Sequence, residues 1–166
     1  MHVDDLDAQH AAAHELIARH LEGPVAAEAW VQHVEYDATV PRWYVRFGCD
    51  GRDAATIYFD LHQRTLRYEV YFLPDPPANQ LECYRFLLAG NHTMYGARFS
   101  IGPDGDLYLG GRVALEHLDE DELDRIIGVL YEATERWFPP LVRIAYPRTS
   151  DRASGTARVR SHAEEA

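Results

Sequence analysis

Between residues 41 and 73 the sequence alternates apolar and polar side chains with a period of two, and this alternation restricts the chain more than any other feature. Trp43, Val45 and Phe47 interleave with Tyr44 and Arg46, while Leu66, Tyr68, Val70 and Phe72 interleave with Arg67, Glu69 and Tyr71. A period of two carried by aromatic and β-branched residues belongs to strands that bury one face. Breaks at Asp37-Ala38-Thr39, at Gly48-Cys49-Asp50-Gly51 and near His62-Gln63-Arg64 divide the region into four strands, near 28–36, 41–48, 53–61 and 64–73. Their connections are short, which favours an antiparallel meander.

Helical periodicity flanks the meander. Val3, Leu6, His10, Ala13, Ile17 and His20 recur at spacings of three and four, Asp4, Asp5 and Asp7 suit a helix N-terminus, and Gly23-Pro24 supplies a stop, so the first helix is expected at about 4–22. Pro74-Asp75-Pro76-Pro77 ends the meander, and Pro77 suits the first position of a second helix striped by Leu81, Tyr84, Leu87 and Leu88. A hairpin follows, with Phe99 and Ile101 on one strand, Leu107 and Leu109 on the other, and Gly102-Pro103-Asp104-Gly105 as the turn. In the last helix Asp119 is the N-cap and Glu122 completes a capping-box pattern, with Leu123, Ile126, Ile127, Leu130 and Trp137 on the apolar face. Pro139-Pro140 is expected to terminate it, leaving Leu141 to Tyr146 as a short apolar return to the core. The order α-β-β-β-β-α-β-β-α predicts an α+β domain with an antiparallel sheet over residues 1–147. Residues 148–166, nearly devoid of large apolar side chains, predict a disordered tail.

Charge and composition exclude several functions. The chain has a formal net charge of -11, and all of its 16 Lys+Arg residues are Arg. The body is more acidic than the whole, at about -12 against about +1 for the tail, which argues against nucleic-acid binding. Without lysine there is no Schiff-base or P-loop lysine. The acidic opening Met1-His2-Val3-Asp4-Asp5 lacks a secretory leader's pattern, and no apolar run approaches the ~18 residues of a membrane span. These features, with Cys49 and Cys83 unpaired in any C-x-x-C motif, predict a cytoplasmic protein with free thiols and no membrane contact.

No catalytic constellation emerges. Of the four serines, Ser100, Ser150, Ser154 and Ser161, three lie in the tail and none in G-x-S-x-G. Cys83 and His92, nine apart, do not return to one helix face. Asp104-Gly105-Asp106 lacks the further ligands of a calcium loop, with Leu115 where a glutamate would stand. His10 and His14 are four apart and could share a metal ion, with His20 further along, but Ala11 occupies the place of the glutamate in a metalloprotease motif. They are weak metal candidates, and no cofactor is expected. The aromatic residues remain. Tyr44, Tyr58 and Tyr71 fall opposite the apolar stripes, and a sheet aromatic on both faces needs cover from helices or from a second subunit, which predicts a homodimer.

From Tyr84 onward, Asn91, Tyr95-Gly96, Phe99, Gly105-Asp106, Tyr108-Leu109 and Arg112, followed by Leu118-Asp119-Glu120-Asp121-Glu122-Leu123, form a pattern that resembles the actinobacterial branch of the YbjN-domain family, described as bacterial sensory transduction regulators. The resemblance covers about residues 5–147 and is most specific over 84–128, while the His-rich first helix, Trp30 and Trp43 depart from it. It implies a fold similar to that of type III secretion chaperones: a helix-capped antiparallel sheet that often dimerises and holds a protein segment without chemistry. Gly96 and Gly105 suit chain reversals, and Asp106 can bond a turn amide. Tyr95, Arg98, Tyr108 and Arg112 are the candidate partner-binding residues, able to hold an anionic or peptide partner through bidentate bonds and stacking; the plainer alternative is arginines paired with helix acids. A non-enzymatic regulatory or chaperone-like protein-binding domain is therefore expected. The rival reading is a small-molecule or metal sensor using the Arg/Tyr cluster or the helix histidines.

Overall fold

The computed structural model describes residues 3–148, with side chains from Asp5 onward; the tail expected at 148–166 lies, beyond Arg148, outside the described residues. The elements are α1 (Val3–His20), β1 (Val31–Asp37), β2 (Arg42–Cys49), β3 (Arg52–Leu61), β4 (Thr65–Leu73), α2 (Gln80–Thr93), β5 (Arg98–Ile101), β6 (Leu107–Ala114) and α3 (Glu120–Ala145). The six strands form one antiparallel sheet in the order β1-β2-β3-β4-β6-β5. The α+β order read from the sequence is the order observed.

One face of the sheet carries the core. Trp43, Val45 and Phe47 of β2, Ile57 and Phe59 of β3, Leu66, Val70 and Phe72 of β4 and Leu107 and Leu109 of β6 are essentially inaccessible. The helices lie over this face. In α1, His14 packs its ring against Tyr36 and Trp43. In α3, Tyr131 meets Trp30 and Phe47, and Phe138 meets Phe72. Helix α2 packs on α3 through Phe86 and Trp137. Burying each large apolar side chain contributes roughly 1.5–3 kcal/mol.

Three helix boundaries differ from the sequence expectation, each for a physical reason. Helix α1 is followed directly by one π-helical turn, Leu21–Val25, that absorbs Gly23-Pro24: the Ala26 amide bonds the Leu21 carbonyl at 3.0 Å, and Leu21 and Val25 are buried. Helix α2 begins at Gln80 rather than at Pro77. Asn79 precedes it in the left-handed region (φ 53°) and donates its side-chain amide to the Ile144 carbonyl at 2.9 Å, so the start of α2 is tied to the end of α3. Helix α3 runs through Pro139-Pro140 instead of stopping there. Two prolines remove two backbone donors, but Phe138, Leu141 and Ala145 continue the apolar face and are buried, and that burial offsets the loss. At its start, Asp119 accepts the Glu122 amide at 2.7 Å as an N-cap. The reciprocal half of the capping box is absent because the Glu122 carboxylate is committed to Arg125.

Candidate functional site

The face of the sheet opposite the core has no helix over it among the described residues. Register places its side chains in rows that cross the strands. One row runs Asp37, Arg42, Asp60, Arg67 and Arg112 from β1 to β6. The next runs Glu35, Tyr44, Tyr58, Glu69, Gly110 and Arg98. Alternation explains this composition: each residue is one place along from a core residue on the same strand.

Lateral contacts hold the face together. Arg42 donates Nε and Nη2 to the two oxygens of Asp60 at 2.6 and 3.0 Å, and its guanidinium lies 5.3 Å from the centre of the Tyr58 ring. This bidentate bond raises the Arg42 pKa further, so the pair stays charged. Arg67 donates to Glu69 two places along the same strand. Tyr44 meets Tyr58 edge to face at 5.4 Å, and Tyr71 meets Tyr108 in the same way at 5.5 Å. Tyr71 donates its hydroxyl to Asp106 Oδ2 at 3.2 Å, and burial followed by this bond raises its phenol pKa. Asp106 does accept an amide, as the sequence suggested, but it is the Asp75 amide across the fold, at 2.9 Å. The reversals expected at Gly96 and Gly105 are present, with φ of 78° and 88°.

The four candidate partner-binding residues divide into two places. Tyr108 and Arg112 lie two register steps apart on β6 and share the open face, with Gly110 between them. Arg98 stands opposite Gly110 on β5 and so belongs to the same face, where Nη1 donates to the Met94 and Ala97 carbonyls at 2.7 and 2.6 Å. Tyr95 lies apart, 77% exposed in the loop after α2, with the Arg125 guanidinium 5.2 Å from its ring centre. Arg125 is bound at both ends of its fork by Glu122, and Gly96 lies so close that a Cβ there would stand 2.3 Å from Nη1. Neither Arg98 nor Arg112 pairs with a helix acid among the described residues. Arg112 is exposed and has no ion-pair partner among them.

The helix histidines do not converge. His14 is spent on Tyr36 and Trp43, and His20, 4% exposed, bonds Asp124 Oδ1 through Nε2 at 2.7 Å. No group of three His, Cys, Asp or Glu side chains suited to a metal ion occurs among the described residues. Cys83 is buried and Cys49 half-buried, and burial raises both thiol pKa values, the reverse of what a thiolate nucleophile needs. Among the described helices none is long and apolar enough to cross a membrane. Sequence spacing alone singles out neither Arg42 nor Asp60, and gives Arg67 and Glu69 only as the polar positions of an alternating strand. The signal that reveals them is their even spacing with Tyr44 and Tyr58 once the strands are set in register.

Comparison with known proteins adds three findings. A family model, YbjN, described as "Putative bacterial sensory transduction regulator", matches residues 28–143. Uncharacterised proteins of Mycobacterium tuberculosis (strain H37Rv) and Mycobacterium leprae are 33% and 32% identical over 84 residues, which is 51% of this chain and 46% of each relative, so the match spans about half of either protein. Among solved structures, the ExsC–ExsE complex superposes with a TM-score of 0.59 at 14% identity, over 80% of this chain and 95% of that one. The SchA chaperone–HopA1 effector complex gives 0.52 at 15%, over 78% and 95%. The type III secretion chaperone SycH of Yersinia pestis, solved with a fragment of YscM2, gives 0.46 at 13%, over 75% and 96%. The first two likenesses establish a shared fold.

Proposed function

The chain belongs to the YbjN family and has the type III secretion chaperone-like fold, and from that premise we propose that it is a non-enzymatic, cytoplasmic regulatory domain that binds a segment of a partner protein and acts as a homodimer. The observation that carries this reading is the open sheet face. Tyr44, Tyr58, Tyr71 and Tyr108 present rings there, and Arg98 and Arg112 stand at its β5–β6 end. Rings with few rotatable bonds and a planar guanidinium suit a peptide carrying carboxylate or other acceptor groups, because little side-chain entropy is lost on docking. The structural relatives bear on this by their complexes: ExsC was solved with ExsE, and the chaperone SchA with the effector HopA1.

The test is affinity purification from the native cell with wild-type protein, Arg112→Ala and Tyr108→Ala. A specific protein retained by wild type and lost from both variants is the expected result. Retention of the same protein by both variants, or crosslinks confined to the helix side, would overturn the assignment to this face. The sensor reading is separated by a thermal-shift screen with divalent metals and small anions, where a true ligand at about 100 times its Kd stabilises by ~2.7 kcal/mol.

A further inference from the structure

Residues 149–166 have no part in the reading above, but the fold fixes where they begin. The last described residue, Arg148, stands just past α3, whose Ile144 carbonyl is tied by the 2.9 Å bond from Asn79 to the start of α2. Asp75, four places before Asn79, donates its amide to Asp106, and Asp106 also accepts the Tyr71 hydroxyl. Tyr146 is 47% exposed and lies near enough to Tyr71 to contribute to the rise in that phenol's pKa. The chain therefore leaves α3 beside the Tyr71–Tyr108 rim of the open face.

Charge changes sign between this rim and the far end of the face. At the rim, Asp75, Asp104 and Asp106 gather around the hairpin turn, where a Cβ on Gly105 would stand 2.9 Å from the Asp75 carboxyl carbon, and none of the three forms an ion pair among the described residues. Four places along β6 from Tyr108, about 13 Å away, the excess is positive. Register sets Arg67 opposite Arg112 and Arg98 opposite Gly110, and the carboxylate among them, Glu69, is already bound by Arg67. The segment that starts at the rim carries charge in the complementary order: after Asp151 come Arg152, Arg158 and Arg160, and then Glu164-Glu165. The sixteen residues from Arg148 to Glu164 can span up to roughly 53 Å, several times the distance across the face.

We infer that residues 149–166 fold back over the open face of their own chain, with their arginines on the rim aspartates and Glu164-Glu165 on Arg98 and Arg112, and that a partner segment must displace them to dock. Tethering makes so polar a contact sufficient. A covalently linked segment meets its site at an effective concentration in the millimolar range, so contacts with a Kd of about 1 mM keep the site about half filled. The same tether favours this occupant over the equivalent segment of a second copy, which would need millimolar protein to compete. Carboxylates of the partner and those of Glu164-Glu165 then contend for the same two guanidiniums. The displacement rests on the protein-binding reading, whereas the contact itself does not.

Phenylglyoxal modification of the full chain, followed at each arginine by mass spectrometry, tests the contact. Arg112 is expected to react about twofold or more slowly in wild type than in Glu164→Arg/Glu165→Arg. In a second arm, a photo-crosslinking benzoylphenylalanine replaces Ala163 in an equal mixture of heavy- and light-isotope chains. It should crosslink within its own chain to residues 107–114, lose that crosslink in Glu164→Arg/Glu165→Arg, and regain it when Arg98→Glu/Arg112→Glu is added. Glu22→Arg/Glu28→Arg, which changes the net charge equally on exposed positions away from the face, should leave both readouts at the wild-type level. An Arg112 rate indifferent to Glu164→Arg/Glu165→Arg, crosslinks on the helix side, or crosslinks between heavy and light chains would overturn the contact. Displacement is read in the affinity purification: Glu164→Arg/Glu165→Arg should recover about twice as much of the protein that wild type retains, and equal recovery overturns it. If Arg112→Ala and Tyr108→Ala lose that protein and no contact is found, this inference alone fails. If the contact is found and both variants keep the protein, the assignment of partner binding to the open face fails and the contact stands.

Discussion

On the helix side of the sheet, Val45, Phe47, Ile57, Phe59, Leu66 and Val70 are fully buried. One place along the same strands, Tyr44, Tyr58, Arg67, Glu69 and Tyr71 point the other way and are only half-buried. The first set is satisfied by helices packed over it. The second is satisfied sideways, by Arg42 with Asp60, by Arg67 with Glu69 and by the two edge-to-face tyrosine pairs. Lateral pairing keeps a face ordered without covering it. An ordered, uncovered face loses less entropy when a partner docks, so under the function proposed above the division between the faces is also a division between folding and recognition.

The most direct way to break this comparison is to truncate neighbouring residues on opposite faces. Phe59→Ala empties a fully buried site and should cost about 3–5 kcal/mol, whereas Tyr58→Ala, one position earlier, should cost about 1 kcal/mol or less. Urea unfolding measures both, and equal costs would mean that the open face carries as much of the folding energy as the core. Gly110→Ala is expected to be intermediate, at roughly 1–3 kcal/mol, although the residue belongs to the open face. A Cβ there would stand 2.4 Å from the Tyr68 carbonyl oxygen and 3.1 Å from the Glu69 Cα, so β4 and β6 would have to separate. A neutral result would show that the ladder is looser than its register implies.

Titration sharpens the comparison from the core side. Tyr68 is 2% exposed and donates its hydroxyl to the Gly96 carbonyl at 2.6 Å, and burial pushes its phenol pKa up. Burial likewise pushes up the Cys83 thiol. A raised folded-state pKa means that the native protein holds its proton after the unfolded chain has lost it. Stability should therefore be complete below about pH 8 and fall as pH rises through the unfolded thiol and phenol values, about 8.5 and 10. Tyr68→Phe should remove its own share of the phenol decline, leaving that of Tyr71 and Tyr131, whose phenol pKa values burial also raises, and cost about 1 kcal/mol at neutral pH for the lost hydrogen bond. Denaturant titrations from pH 7 to about 10.5 read both effects. An unchanged alkaline slope in the variant would remove Tyr68 from the account.

How much of this was legible follows from the range of the forces involved. Strands expected at 41–48, 53–61 and 64–73 are observed at Arg42–Cys49, Arg52–Leu61 and Thr65–Leu73, because alternation and turn residues are local. The Asp119 cap was legible for the same reason. The passage of α3 through Pro139-Pro140 was not: local chemistry says stop, and only the buried positions of Phe138, Leu141 and Ala145 show why the helix continues. The open-face tyrosines could be read from alternation, since period two assigns faces without a fold. The charged row could not, because placing Arg112 beside Arg67 needs the pairing of β4 with β6 across an intervening helix and strand. Tyr95 shows the complementary difficulty. Grouped by sequence with Arg98, it was separated from it by the reversal at Gly96, which turns it toward Arg125.

Arg112 gives the smallest expected effect on stability and so the finest distinction between the faces. It ends the charged row, exposed and without an ion-pair partner among the described residues, and its strand neighbours Gly110 and Ala114 make no demand on its side chain. Arg112→Ala should therefore leave the unfolding free energy within about 0.5 kcal/mol of wild type. In the same preparation it should reduce retention of the protein partner. Arg112→Lys preserves the charge but loses the planar fork, so it discriminates further. Retention recovered by lysine would indicate simple charge attraction, and retention still lost would indicate bidentate recognition of a carboxylate or a similar group. A stability loss of 2 kcal/mol or more in Arg112→Ala would reverse the assignment, since a residue that folding depends on so strongly is not held in reserve for a partner.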